Sequence, residues 1–374
     1  MKKCWKLVPV CILLAGLAGC RGELGVLPYA RELEDMALMR TMGVDAGAAG
    51  GVTVTVSTGS EDRGGSESGS SPTILRKDSG TISGACLAMQ GEGAAYIFYG
   101  HVGQLLLGEE LARTGIAEAL DYVFRDVEMR LDTELYLVRE ATAEAAIRAA
   151  AETSSAADRL EAMEADAGLL SDSMARTVKE VMGELEENGC SFAPALAVSE
   201  EDGGLAAAGY GLIRGDRVAG WAAGEAARGV NLLEGRVDAD ILELQVPGGG
   251  RAAVRIVGAG TRVEPVFDGD RLTGLRVCCE TDANLAEGSP SVDLNDAALR
   301  AWMEDALARR TEERLRAALE LCRQLDGDFF QLQNRAGQSA PWRWRELREQ
   351  WDLASLDIDV KAEGHILRGY DVRG

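Results

Sequence analysis

Few side chains in this chain could carry chemistry, and their spacing narrows the choice further. The 374 residues hold two histidines, His101 and His365, and neither stands near a candidate nucleophile in sequence. A histidine-based triad therefore has little to build on. Beyond position 20 the cysteines are Cys86, Cys190, Cys278, Cys279 and Cys322. Their number is odd and no Cys-x-x-Cys or Cys–His spacing occurs, which supports neither a zinc site nor a disulfide framework. Cys278 and Cys279 stand in "LTGLRVCCE", which predicts a strand with the two thiols on opposite faces and the cysteines as small buried apolar groups. Gly258 and Gly260 form a GxG, but no helix opens after them, so a dinucleotide site is not supported. No GxSxG, HExxH or carboxylate pair stands in a convincing setting.

Cys20 is the exception. Lys2, Lys3 and Lys6 precede an apolar run from Leu7 to Leu17, and the run closes on Leu17-Ala18-Gly19-Cys20. A positive start, an apolar stretch of signal-peptide length and small residues before the cut form a secretory leader. A cysteine directly after them resembles the lipobox of bacterial lipoproteins. That resemblance implies removal of residues 1–19, a diacylglycerol on the Cys20 sulfur, and attachment to a membrane surface by acyl chains. An ordinary secretory signal or a short membrane anchor are the alternatives, though the run is shorter than the roughly 20 apolar residues of a spanning helix.

Loss of residues 1–19 leaves 355 residues, enough for two or three domains. It also takes the formal charge from −22 to −25, since Lys2, Lys3 and Lys6 go with the leader. An acidic body is repelled by phosphate backbones and anionic headgroups, which argues against nucleic-acid binding and leaves anchoring to the lipid. No later stretch approaches membrane-spanning length, so the body is expected to be soluble.

The elements that would position any site follow from periodicity. "RELEDMALMRTMG" (31–43) places Leu33, Ala37, Leu38 and Met42 on a helical or extended apolar stripe that Gly43 is expected to stop. "VTVTV" (52–56) alternates as a half-buried strand. The stretch from Gly59 to Pro72 is Gly/Ser-rich and reads as an exposed loop within a domain. "AYIFYGH" (95–101) predicts a buried strand. A helix is expected over 109–114 with Gly115 as a left-handed cap. A second helix carries Ile116, Leu120, Val123 and Phe124 on one face, and "ELYLV" (134–138) returns to strand. Residues 141–165 are helix-prone, and Met174, Val178, Val181, Met182 and Leu185 form a stripe closed by Asn188-Gly189. Short strands with glycine turns begin at Ala195, including a hairpin with Gly215-Asp216 at its tip. A long helix opens at Asp293–Asp296 and runs to about Leu325. Trp342, Trp344 and Trp351 are expected in the core, and "SLDIDVKAEGHIL" closes the chain as a strand.

Four segments together resemble the Ger(x)C family of spore germination lipoproteins, the C subunits of nutrient germinant receptors. The first is the lipobox cysteine followed by a segment ending in Gly43-Val44-Asp45. The second is "GHVGQLLLGEELARTGIAEALDYVFRDVEMR" (100–130), which carries His101, Gly108-Glu109-Glu110, Gly115, Arg125-Asp126, Glu128 and Arg130. The third is "GDRVAGWAAGEAARGVNLL", similar to a strand-turn-strand of the family and holding Arg228-Gly229. The fourth is "QLDGDFF" with the tryptophans and alternating strand that end the chain. The chain is more acidic and alanine-rich than the family pattern.

The resemblance implies an α+β fold of three mixed helix and antiparallel-sheet domains after the cleaved leader. Their expected bounds are 20–194, 195–285 and 286–374. It also implies a non-enzymatic, lipid-anchored subunit without cofactor on the outer face of the inner spore membrane, partnered by membrane-embedded A and B subunits. On their residue types, His101 reads as a capped or core histidine. Arg125, Asp126, Glu128 and Arg130 read as a helix-to-strand corner in which Asp126 pairs with Arg125 or Arg130. A solute-binding lipoprotein of an importer is the alternative function. Its two regularly alternating α/β lobes do not fit the strand-rich middle of this chain.

Overall fold

The alternating run forms strand β2 (Val52–Thr58), and its neighbours set the plan of the first sheet. The computed structural model describes residues 36–60, 71–92, 95–170, 173–199, 204–237, 240–247, 249–290 and 292–369. The leader, Cys20 and residues 61–70 of the Gly/Ser-rich stretch lie outside them. β2 pairs antiparallel with β1 (Met36–Ala46) and β3 (Ile74–Ser79). β1 then pairs parallel with β5 (Gln104–Leu107), β5 with β6 (Glu134–Val138), and β6 with β7 (Cys190–Val198). β8 (Leu205–Arg214) and β9 (Arg217–Ala222) extend the sheet antiparallel, and β4 (Tyr96–Phe98) pairs with β1 at the side.

The fold is α+β, as expected, but the sheets are not antiparallel throughout. A parallel step needs a long crossover, and helices supply it. α1 (Ile82–Glu92) lies between β3 and β4, and α2 (Glu109–Thr114) and α3 (Ala117–Arg125) join β5 to β6. α4 (Ala143–Ala151), α5 (Ala156–Leu170) and α6 (Val178–Asn188) join β6 to β7. Helices on both faces explain why β5 is buried at every position and β6 at all but Glu134. Leu105, Leu107, Leu135 and Leu137 face the core shared with α1, α3 and α6. Leu106, Tyr136 and Val138 face the one shared with α4 and α5. β2 is likewise buried on both faces instead of half-buried: Val54 and Val56 on one, Thr55 and Ser57 on the other.

Local signals set the helix ends. Thr177 and Glu180 form a reciprocal capping box at α6, and Gly189 takes φ 75° to close it. Gly115 caps α2 at φ 160°, outside the left-handed region expected of it. Gly43 does not end an element but lies within β1, packed toward Ala143 and Ile147 of α4. Phe124, expected on the buried face of α3, is 59% exposed, while Ile116, Leu120 and Val123 are buried.

The second sheet holds β10 (Asp240–Gln245), β11 (Arg251–Asp268), β12 (Arg271–Gly288) and β13 (Asp357–Gly369) in that order. The last pair runs parallel, bridged by α8 (Ala297–Gln324), α9 (Leu332–Ser339) and α10 (Trp344–Glu349). α7 (Glu225–Glu234) precedes the sheet and occupies part of the stretch read as strand-turn-strand. Residue 195 falls within β7 and residue 285 within β12, so both expected boundaries lie inside hydrogen-bonded strands. Among the three tryptophans expected in the core, Trp344 and Trp351 pack partly buried against it, while Trp342 is 77% exposed. No helix among the described residues is long and apolar enough to cross a membrane.

Asp45, at the end of β1, fastens the two layers of the first sheet. Its buried carboxylate accepts Ala143 N–H at 2.7 Å and Glu144 N–H at 3.0 Å, two of the unpaired donors that open α4. Burial raises its pKa more than these two hydrogen bonds lower it. Asp45→Asn keeps the size but turns one acceptor into a donor facing an N–H. We expect it to cost about 1–3 kcal/mol in urea unfolding; an unchanged midpoint would show that α4 does not need this cap.

Candidate functional site

The residues that carry the family resemblance sit at three places, each with its own packing reason. The first is a cleft of about 560 Å³ where β1, β5 and β6 end, lined by Asp45, Ala46, Glu109, Glu110, Arg113, Thr114, Ala141 and Thr142. Crevices at the carboxyl ends of parallel strands are common ligand sites. Here the donors that an anion would use are already taken by Asp45. A side chain at Gly108 would overlap the Asp45 carboxylate, so only glycine lets β5 turn into α2 against it. Glu109 reinforces the turn by accepting from Arg113 at 2.6 Å and from Glu140 N–H. Glu110 lines the cleft beside it.

The second place is the corner from Arg125 to Arg130. Arg125 pairs with Asp121 one helical turn back at 2.7 Å, and Arg130 with Asp132 at the surface. Asp126 bonds neither arginine, contrary to expectation. Its Oδ1 accepts Glu128 N–H at 2.9 Å and Met129 N–H at 3.3 Å, and so holds the loop that leaves α3. Glu128 reaches inward, accepting from Tyr96 Oη at 2.9 Å and Tyr99 N–H at 3.1 Å. His101 is neither capped nor in the core: it is exposed after β4, edge-on to Phe98 at 5.8 Å.

The third place joins the sheets and lay largely outside the sequence reading. Arg228 and Gly229 lie on a helix, α7, and a side chain at Gly229 would strike the Arg314 carbonyl of α8. The close crossing puts Arg314, about 1% exposed, among carboxylates: it bonds Asp240, and Glu225 at 2.9 Å. Arg228 adds a 3.2 Å contact to Glu225 and a 3.8 Å contact to Asp240. Burial raises the Glu225 pKa, but the hydrogen bond and charge of Arg314, with Arg310 and Arg228, bring it below the usual value. A signal was present: Arg314 interrupts the apolar stripe of Leu307, Thr311 and Ala318 at helical spacing. A charge in such a stripe asks for buried partners.

The five described cysteines are free. Cys279 is buried and Cys278 half-buried, on opposite faces of β12. No cluster of three or more His, Cys, Asp or Glu groups suited to a metal occurs among the described residues.

These features define an α+β protein in which Asp45, Gly108, Asp126 and Gly229 serve the joints between elements. The chain belongs to a family of spore germination proteins. Residues 29–198 match the spore germination protein N-terminal domain, and residues 208–369 match the spore germination B3/GerAC-like C-terminal domain. Membership supports a role in spore germination. The fold is similar to that in the crystal structure of the GerBC protein, with a TM-score of 0.56 at 14% identity over 88% of this chain and 97% of that one. No curated protein sequence matches the chain.

Two measurements test these assignments. Asp126→Ala removes an acceptor from two backbone N–H groups and is expected to cost about 1 kcal/mol, with Asp126→Asn restoring most of it. Equal loss in both variants would mean that charge pairing matters after all. At the start of β6, burial pushes Glu134 up to about 7, despite the Tyr136 hydroxyl at 2.8 Å that favours its anion. A raised folded-state pKa means that the native state holds the extra proton, so this group's contribution falls as pH rises from about 4.5 to about 7. Glu134→Gln should therefore exceed the parent in stability by about 1 kcal/mol at pH 7.5, after allowance for partial exposure, and match it near pH 4.5. Parallel stability curves for the two proteins would exclude the effect.

Proposed function

We propose that this chain is a lipid-anchored, non-enzymatic subunit of a nutrient germinant receptor, held at the outer face of the inner spore membrane by a diacylglycerol on Cys20. It acts by assembling with membrane-embedded A and B subunits. The observation that carries the reading is the match to both spore germination domains, in order, from residue 29 to residue 369. The leader of residues 1–19, placed directly before Cys20, supports the anchor. Confinement to a membrane surface raises the effective concentration of the body beside its partners, so modest contacts suffice for a stable complex. The use of motif residues such as Asp45, Gly108 and Gly229 as packing joints fits a body whose work is to present surfaces.

The test uses the full chain expressed with its two membrane subunits. The mature protein should carry a diacylglycerol-modified Cys20 by mass spectrometry and co-purify with both subunits from solubilised spore membranes. Cys20→Ala should abolish the modification and reduce membrane-associated protein at least tenfold. An unmodified native N-terminus would refute the anchor, and absence of co-purification would refute the receptor assignment.

A further inference from the structure

α3 and α6 leave an open groove between them, with a volume of about 580 Å³. Ile116, Ala117, Leu120, Met182 and Leu185 supply its apolar lining, and the β8–β9 turn at Gly215-Asp216 closes one end. The end wall is fixed by backbone bonds: Ile116 N–H donates to Asp216 O at 2.7 Å, and Gly215 N–H to Gly189 O at 2.7 Å. One helical turn beyond Leu120 and Asp121, the exposed ring of Phe124 carries the apolar surface past the groove. A large aromatic left in water beside an apolar cleft is a typical anchor for a partner.

The charges along the groove select the partner. Its polar lining is acidic throughout: Glu118, Asp121, Glu186 and Asp216. Arg125 and Arg217 pair with Asp121 and Asp216, while Glu118 and Glu186 hold no cation among the described residues. An anionic membrane surface would be repelled by this rim, and so would a second copy of a chain whose formal charge is −22. We propose that the α3–α6 groove is a docking site for an amphipathic helical segment of a partner protein, with apolar residues seated against Ala117, Phe124, Met182 and Leu185 and Lys or Arg residues facing Glu118 and Glu186. The mode is a helix laid in a groove, read through anchors at i, i+3, i+4 and i+7. The inference rests on the receptor reading above, which makes the membrane-embedded subunits the source of the segment.

The experiment places a photo-crosslinking amino acid at position 124 of the full chain in its native membrane, with a second variant labelled at Trp342 as a distant exposed site. Co-purification with the membrane subunits is measured in the same samples. The expected result is a crosslink from position 124, and not from 342, to one segment that is apolar on one face and bears Lys or Arg. Glu118→Lys with Glu186→Lys should reduce that crosslink at least tenfold, while Asp305→Lys with Glu349→Lys, on the exposed surfaces of α8 and α10, should leave it unchanged. A crosslink to lipid, to a second copy or to a segment without basic residues would overturn the proposal. So would a crosslink that survives reversal at the groove, or one lost equally on reversal elsewhere. Intact co-purification without any crosslink at 124 would overturn the groove alone and leave the receptor reading standing. Loss of co-purification in the parent protein would overturn both.

Discussion

A buried carboxylate at the end of β1 sets the geometry on which the first half of the molecule depends. Asp45 spends both oxygens on the first turn of α4, so the register between sheet and helix layer is fixed by hydrogen bonds as well as by packing. β1 also stands inside the sheet where its pairing changes sense, antiparallel to β2 on one side and parallel to β5 on the other. The requirement propagates from there. Gly108 is needed because the Asp45 carboxylate fills the space where a side chain would go, and the turn it allows starts α2, whose Glu109 then holds the chain leaving β6 at Glu140. Residues distant in sequence are thus explained by one carboxylate, without any ligand.

A buried guanidinium has the corresponding role further along the chain. Arg314 is removed from water and surrounded by Asp240 of β10 and Glu225 of α7, so three elements meet at one charge. Such a cluster adds little net stability compared with an apolar core of the same shape, because desolvation offsets most of the attraction. Its consequence is positional. Leaving either carboxylate or the guanidinium unpaired inside the protein is costly, so α7 can cross α8 in one way, and Gly229 makes that crossing close. The β12–β13 ladder then ties the final strand to the middle of the chain, so the strand-rich segment and the ending share one sheet.

Much of this plan was readable from local pattern. β2, β6, α2 and α6 followed from alternation, helical spacing and capping residues, because those signals act within a few residues. Cys278 and Cys279 divided between faces for the same reason. What failed was what depends on distant partners. The strand–helix decision over residues 36–43 turned on the neighbours of β1, which no window of sequence contains. α7 was missed because the stretch holding it resembles a strand-turn-strand, whereas Gly224 opens a helix at φ 55° and Gly229 serves its contact with α8. Asp126 was assigned to arginine pairing on charge alternation, while the backbone N–H groups two and three residues on were nearer. Charge patterns in sequence do not reveal which donors the chain brings within 3 Å.

The same distinction bears on how such a body can work at a membrane. The motif positions at Asp45, Gly108 and Gly229 are interior, so a partner meets them only through the shape they enforce. In the proposed docking, contact falls to surfaces that the folding signals leave unspecified, such as Phe124, which is exposed beyond the point where the core needs it. The acidic surface makes that choice selective. Under the proposed anchor, repulsion from anionic headgroups would keep the body off the bilayer while the acyl chain holds it near, and the same field would favour approach of basic protein segments. The proposed anchor and the charge would then act in opposite senses toward lipid and in the same sense toward a cationic partner. A body tethered in the way proposed but repelled by the membrane surface would be left free to face its neighbours.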